Sequence, residues 1–319
     1  MIVQPHPRTK NVFTENNLPL VAKAPFVNGD YLPERLNAAM ALLGGIEKAI
    51  KPGDKVILKP NFNCSYETPL STDLGILAAA IELLIDAGAK VTVAEMSGRA
   101  DGPTHKVATN LGVFPVLKRF GVPLIEFEEE EWVELEVPGK YWKSYHVPRS
   151  MYEADKRVYL SNMRCHSSAR FSVSLKLGVG WLSVDDREIL HADRNTTEGM
   201  VAELHLGWQP NLILVDGRRS TVNWHGRGPY VFPNVIMASG DLVAIDSEAV
   251  KLLKQFPADN RIGVPLENLD QLRVAAEHGL GSFQYILKEA EAHLETEQKN
   301  NLDPAALVIS EEDKLENKA

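Results

Sequence analysis

The sequence is poor in the features that build disulfide frameworks, metal clusters or membrane anchors. It has two cysteines in 319 residues, Cys64 and Cys165, too few for a disulfide framework or a self-contained iron–sulfur cluster. No apolar run reaches the ~18 residues needed to cross a bilayer. The first ten residues also lack the continuous apolar region of a secretory signal. We therefore expect a cytoplasmic protein with no membrane partner.

Common nucleotide-binding motifs are lacking as well. Neither the GxxxxGK[ST] pattern of a phosphate loop nor the GxGxxG pattern of a dinucleotide site is present. The chain has 34 basic and 43 acidic residues, a net charge of −9, which is the wrong sign for a nucleic-acid surface. A nucleic-acid partner is therefore not expected.

Apolar residues make up 44% of the chain, enough to build a core and to exclude a disordered protein.

Apolar strands alternate with amphipathic helices, which predicts an α/β fold. Residues 55–58, 74–88 and 90–95 read as a strand, a helix and a strand, the unit that connects parallel strands. Further strands are predicted at 123–127, 158–160, 211–215 and 235–238, with a hairpin over 133–147. Helices are predicted at 34–50, 104–120, 242–254, 266–278 and 283–293. We expect mostly parallel sheets with flanking helices in two lobes, and a ligand cleft at the carboxyl ends of the strands.

The predicted domain organisation has four parts. Residues 1–34 are rich in proline and glycine and are predicted to form an arm over the folded body. Residues 35–154 form the first α/β lobe and residues 155–297 the second. Residues 298–319, rich in Glu, Lys and Asn, are predicted to be a flexible tail.

The densest group of reactive side chains follows the strand at 158–160. His166 is a candidate general acid or base near neutral pH. Lys176, if partly desolvated, would have a lowered pKa and could exchange a proton, and Arg164 could bind a carboxylate or phosphate. The competing interpretation, of equal weight for this segment, is an ordinary strand from Phe171 to Leu175 with outward polar residues.

A second group follows the strand at 211–215. Asp216 is a third candidate catalytic residue, which would orient a histidine or a metal. The cationic loop behind it and the end of the first strand would bind an anionic substrate in the same cleft. The candidate substrate-binding residues, with Arg164, are Lys59, Asn61, Arg218, Arg219 and His225.

No metal ligands are predicted. Cys165 and His166 are adjacent, so on a strand their side chains would point to opposite faces. The cofactor is unknown, and a bound transition metal stays open. Asp241 and Asp246 near a helix start are more simply explained by capping and dipole effects, with Asp246 a weaker site candidate. His191 is either a surface residue or a member of the site.

Eight motifs in a fixed order resemble the domain of unknown function 362 family over about residues 50–290. They are ILKPNF at 57–62, STD at 71–73, AGAKVTVAE at 87–95, NMRCH at 162–166, SLKLGVG at 174–180, LVDG at 214–217, GRGP at 226–229 and SGDLVAID at 239–246. His166 and Lys176 stand where the family has a histidine and a lysine. Leu177 replaces an asparagine that is usual there.

The resemblance carries further implications. Many members of that family have ferredoxin-like cysteine clusters, which implies redox partners, but this chain lacks such cysteines. The family is also distantly similar to lactate racemase, whose site uses histidines and a lysine around a nickel-containing nucleotide cofactor. That similarity implies a small organic acid and proton or hydride transfer.

Two classes of function follow. The first is an enzyme that acts on a small anionic metabolite by proton or hydride transfer, as an isomerase, a lyase or cyclase, or an oxidoreductase. The alternative is a non-catalytic redox-accessory protein that binds a metal or ligand. The sequence leaves the substrate and the oligomeric state open, and a homo-oligomer is one alternative.

Overall fold

The computed structural model describes residues 1–98, 101–224 and 229–291, so His225 and the predicted tail at 298–319 lie outside the described residues. The helices are α1 (Leu32–Leu43), α2 (Leu74–Asp86), α3 (Thr104–Leu111), α4 (Val113–Phe120), α5 (Arg149–Glu153), α6 (Ser174–Leu177), α7 (Val184–Ala192), α8 (Thr197–Glu203), α9 (Leu242–Leu253) and α10 (Asp270–Glu277). The strands are β1 (Ile2–Val3), β2 (Thr14–Glu15), β3 (Leu18–Pro25), β4 (Lys55–Lys59), β5 (Lys90–Glu95), β6 (Leu124–Glu126), β7 (Trp132–Glu136), β8 (Ser144–Pro148), β9 (Lys156–Asn162), β10 (Arg164–His166), β11 (Arg170–Ser172), β12 (Leu212–Gly217), β13 (Ser220–Thr221), β14 (Tyr230–Val231), β15 (Val235–Ser239) and β16 (Ile286–Glu289).

A nine-stranded sheet runs through the part of the chain that the structure describes. Its strand order is β16-β3-β15-β12-β9-β4-β5-β6, with β2 paired to β3. The neighbours β12, β9, β4, β5 and β6 are all parallel, and β15 runs antiparallel to both of its neighbours. The expected α/β fold with a mostly parallel sheet and flanking helices is confirmed.

The sheet separates two hydrophobic cores because successive side chains of a strand point to opposite faces. On β4, Ile57 contributes to one core, and Val56 and Leu58 contribute to the other. Helix α2 covers the second core with its buried apolar face, and its N-cap residue Asp73 accepts hydrogen bonds from the backbone N–H groups of Gly75 and Ile76. This capping satisfies two of the backbone N–H groups that the first turn of the helix leaves free.

The N-terminal segment differs from the predicted arm. Strand β3 lies between β15 and β16 in the central sheet, and Leu20, Val21, Ala22 and Ala24 are buried. Its run of small and branched apolar residues is fully covered, so the proline and glycine around it mark only its ends. The sheet also crosses the predicted lobe boundary, because β4 pairs directly with β9. The division into two lobes itself stays a prediction.

Two predicted helices are wrong in detail. Residues 104–120 form α3 and α4, separated at Gly112, whose φ of 79° lies in the left-handed region that favours glycine. The helix predicted at 283–293 is not formed over the described residues 283–291, because Ile286–Glu289 pairs in parallel with β3. Within residues 1–98, 101–224 and 229–291, no helix is long and apolar enough to cross a membrane.

Candidate functional site

Three neighbouring parallel strands end at the base of one cleft. Strand β4 leads to Asn61 and Asn63, β5 ends at Glu95, and β9 ends at Asn162. All four residues line a small chamber at this edge of the sheet. Because parallel strands present their carboxyl ends at the same edge, the fold brings together side chains that are distant in sequence.

A short hairpin beyond β9 supplies one arginine and one histidine side chain. Strands β10 and β11 pair antiparallel, and the side chains of Arg164 and His166 both line the chamber. Cys165, between them, points the other way into the hydrophobic core, as expected for alternation along a strand. Arg170 fixes the far side of the hairpin through paired hydrogen bonds of 2.6 and 2.8 Å to the carboxylate of Glu198.

Lys176 is presented by the short helix α6, whose first residues are held by a buried carboxylate. Asp246 on α9 accepts hydrogen bonds from the backbone N–H and the hydroxyl of Ser174 and from the backbone N–H of Leu175, at 2.9, 2.5 and 3.0 Å. Asp241, not Asp246, caps α9. Burial raises the pKa of Asp246 to about 7. Asp246 therefore positions the turn that carries Lys176, a role that the capping interpretation did not include.

The chamber opens into a larger cavity. The chamber has a volume of about 70 Å³ and the outer cavity, here called the vestibule, has about 650 Å³. The two share the lining residues Asn63, Met96, His166, Lys176, Val179 and Arg187. They therefore form one continuous cleft with a polar inner end.

Positive charge accumulates at this inner end. Burial, followed by the charges of Arg164 and Arg187, lowers the pKa of Lys176 to about 7. Burial also lowers the pKa of Arg164, whose guanidinium donates a 3.3 Å hydrogen bond to the backbone oxygen of Cys165. Among the described residues, neither cation forms an ion pair with a carboxylate. An anion bound here would supply the missing negative charge.

His166 has a defined tautomer at neutral pH. Its Nδ1 accepts hydrogen bonds from the backbone N–H groups of Ser168 and Ala169, at 3.2 and 3.3 Å, so in the neutral ring the proton is on Nε2. Burial, followed by the charges of Lys176 and Arg164, lowers its pKa well below the ordinary value. His166 is therefore a neutral hydrogen-bond donor, whereas Lys176 is the group that can accept a proton at pH 7.

Sequence reasoning did not find Arg187. Its guanidinium donates hydrogen bonds to the backbone oxygens of Ser97 and Met96, at 2.8 and 2.9 Å, and the side chain lines both parts of the cleft. Burial lowers its pKa to about 10. His191, one turn further along α7, also lines the vestibule, and burial lowers its pKa to about 4. The spacing of four residues between the two side chains was the available sequence signal.

Lys59 and Asn61, the two candidate substrate-binding residues at the end of β4, are bonded to other groups of the protein. Lys59 is fully buried and forms an ion pair with Glu95 beneath the chamber. Desolvation lowers the pKa of Lys59 and raises that of Glu95, and each partner's charge opposes the shift. Asn61 lines the chamber, but its side-chain amide donates a 3.0 Å hydrogen bond to the backbone oxygen of Leu70. Neither side chain is a simple substrate clamp.

The second predicted group lies beside the cleft and does not line the chamber or the vestibule. Asp216 accepts hydrogen bonds from Arg218, whose guanidinium also donates a 2.7 Å bond to the α2 cap residue Asp73. Asp216 thus has an arginine partner in place of the predicted histidine or metal. Arg219 pairs with the exposed Glu67 and with a backbone oxygen. The structure therefore gives both arginines protein partners, because oppositely charged groups from 67–73 fold against this loop.

The hydrogen bonds between Asp216 and Arg218 predict that substitution of Asp216 lowers the stability of the protein. Asp216→Asn leaves Arg218 with one of its two carboxylate partners in a largely buried position, so we expect the free energy of unfolding to fall by about 3 kcal/mol. Chemical denaturation measures this change. Glu67→Gln is the control, because an exposed ion pair contributes less than about 1 kcal/mol. Equal stability of the wild type and Asp216→Asn would contradict a structural role for the pair.

The described residues do not form a metal-binding cluster. No group of three or more His, Cys, Asp or Glu side chains in residues 1–98, 101–224 and 229–291 is arranged to hold a metal ion. Cys165 and His166 lie on opposite faces of β10, in agreement with the sequence interpretation of that pair.

The fold and the cleft define an α/β protein with a cationic site at the carboxyl ends of parallel strands. The chain belongs to the family described as Domain of unknown function (DUF362), whose model matches residues 56–251. The family predicted from the eight ordered motifs is thereby confirmed.

Two individual proteins are similar to this chain. The thylakoid-associated protein sll1697 of Synechocystis sp. is 25% identical over 233 residues, which cover 70% of each protein. The lactate racemase apoprotein of Thermoanaerobacterium thermosaccharolyticum is 12% identical, with a TM-score of 0.37. The likeness covers 73% of this chain and 57% of the racemase, and at that TM-score it carries no argument about function.

Proposed function

We propose that the cleft binds a small organic anion and that Lys176 exchanges a proton with it. The observation that supports this proposal most directly is the meeting of Arg164, Lys176 and Arg187 in one chamber, where the first two form no ion pair within the described chain. Uncompensated buried cations are costly to a fold, and a bound anion offsets that cost.

The role of each side chain in proton transfer follows from its protonation state. Arg164 and Arg187 hold the anionic group and fix its orientation. Lys176, with a pKa of about 7, is neutral in about half of the molecules at pH 7 and accepts the proton. His166 donates a hydrogen bond from Nε2 to the oxygen on which negative charge develops. The assignment changes the role expected for His166 from general acid or base to electrostatic stabiliser.

Other reactions would use the same cleft differently. Hydride transfer needs a bound redox cofactor as acceptor, because no protein side chain accepts hydride. A redox-accessory protein would hold the anion without turnover. One relative is described as thylakoid-associated, and the cytoplasmic location expected from this sequence stays a prediction.

Hydrogen–deuterium exchange at carbon tests proton transfer without knowledge of the full reaction. Short 2-hydroxy, 2-oxo and 2-amino carboxylates are first ranked by binding to the purified protein. The compounds that bind are then incubated with it in D₂O, and loss of the Cα–H signal is followed by proton NMR. We expect exchange to rise by about 100-fold or more over the protein-free rate, the usual effect of a positioned base.

The controls separate catalysis from binding. Lys176→Arg keeps the positive charge but has no neutral form near pH 7, so it should retain carboxylate binding and lose exchange. Compounds that bind tightly without any exchange would overturn proton transfer and favour the accessory protein. Failure of every carboxylate in the series to bind would overturn the anion site itself.

A further inference from the structure

The cleft has two chemically different parts, and the difference bears on the kind of molecule it holds. The inner chamber, of about 70 Å³, has room for roughly two water molecules, about the size of one carboxylate group. The vestibule, of about 650 Å³, falls in the size range of pockets that hold whole organic ligands. A ligand that consisted of an anionic group alone would leave most of the cleft unfilled.

The vestibule walls are much less polar than the chamber. Met96, Pro103, Val179 and Val184 line it together with the backbone of Gly98 and Gly102. Val184 has 43% of its surface exposed. Apolar walls of this kind gain free energy when they are covered by an apolar group.

Charge is arranged unequally along the cleft. Arg164 lines the chamber only, Lys176 and Arg187 line both parts, and the carboxylate of Glu128 lines the vestibule only. The carboxylate of Glu95 also lines the chamber, but it is paired with the buried Lys59. Glu128 is fixed in the vestibule by hydrogen bonds of 2.6 and 2.8 Å from the backbone N–H and hydroxyl of Thr104. A ligand with negative charge at both ends would bring its outer charge close to the Glu128 carboxylate.

From this arrangement we infer that the ligand is an amphiphilic monoanion, with a carboxylate-like head in the chamber and an uncharged apolar body in the vestibule. The inference rests on the proposed anion site and adds the substrate class to it. It replaces the general expectation of a small anionic metabolite with a molecule that has one charged end and one apolar end.

A homologous series of carboxylates tests the inference. Dissociation constants for acetate, butanoate and hexanoate are measured by calorimetry or NMR on the full chain, with adipate and hexanol as comparisons. Each added methylene should lower Kd about fourfold as it becomes buried in the vestibule. Adipate, with a second carboxylate, and hexanol, without a head group, should both bind more weakly than hexanoate.

A substitution at Val184 tests whether the apolar body of the ligand lies in the vestibule. Val184 is the first residue of α7, where an aspartate is well tolerated next to the helix N-terminus. Val184→Asp should reduce the preference for hexanoate over acetate about tenfold, because it places a charged group against the apolar body of hexanoate. Arg164→Met should weaken both carboxylates.

The outcomes distinguish this inference from the proposal on which it rests. If acetate and hexanoate bind equally well, or adipate binds more tightly than hexanoate, the amphiphilic class is wrong and the anion site stands. If Val184→Asp leaves the preference for hexanoate intact, the apolar body does not occupy the vestibule. If neither acetate nor hexanoate binds, the anion site and the inference both fail.

Discussion

Replacing Lys176 by methionine should make the protein more stable at pH 6 and remove its proton-transfer activity. At pH 6 the ammonium group is charged in both states, and burial without a counter-ion penalises the folded one, so an apolar replacement of similar shape should raise the free energy of unfolding by about 1–4 kcal/mol. Loss of the base should lower carbon-bound hydrogen exchange by about 100-fold or more. A substitution that raises the free energy of unfolding and lowers activity indicates that the replaced residue serves function at a cost in stability.

The lowered pKa of Lys176 predicts how the free energy of unfolding changes with pH. Burial lowers the pKa of Lys176 from 10.5 to about 7, so between these values the unfolded chain binds more protons than the folded one. The free energy of unfolding should therefore rise with pH over that interval in the wild type. Lys176→Met should lose this contribution. A difference between the two proteins that stays constant from pH 6 to pH 10.5 would show that the ammonium is not desolvated.

Arg164→Met should have its main effect on anion affinity. A charge-assisted hydrogen bond contributes about 1.5–3 kcal/mol, which corresponds to a rise in the Kd of a bound carboxylate of about 10-fold to 150-fold. The free energy of unfolding should be unchanged or higher, because no carboxylate of the described chain loses a partner. Calorimetric titration with hexanoate and chemical denaturation measure the two quantities.

Arg170 provides the matched comparison on the same hairpin. Arg170→Met leaves the largely buried Glu198 carboxylate without its paired hydrogen bonds, so stability should fall by about 3 kcal/mol. A loss of stability in Arg164→Met as large as that in Arg170→Met, with unchanged affinity, would make Arg164 a structural residue.

The position of the site could be predicted from the sequence because it follows from sheet topology. His166 and Arg164 come directly after an apolar strand, and parallel strands place such residues at one edge. The roles within the site were harder to assign. The tautomer of His166 depends on the backbone N–H groups of a turn, and the protein partners of Arg218 come from both its own loop and a segment that is remote in sequence.

Pairing with a strand that is distant in sequence also decided the structure of a segment whose local pattern predicts a helix. Phe283, Ile286, Leu287 and Ala290 have the spacing of a helix face, yet Ile286–Glu289 pairs with β3 as an edge strand of the described sheet. Arg187 was missed for a related reason. The spacing of Arg187 and His191 places them on one face of α7 but does not say where that face packs, and only the folded chain shows the guanidinium in contact with Ser97 and Met96.

The pKa of Lys176, measured in the free protein and with saturating hexanoate, tests the central claim most directly. Lysine labelled with carbon-13 at Cε reports the titration by NMR, and Lys176→Met identifies the signal. The cationic cleft predicts a pKa of about 7 in the free protein and a rise of at least about one unit when the carboxylate binds beside it. A value near the ordinary 10.5 that does not change with hexanoate would contradict the account.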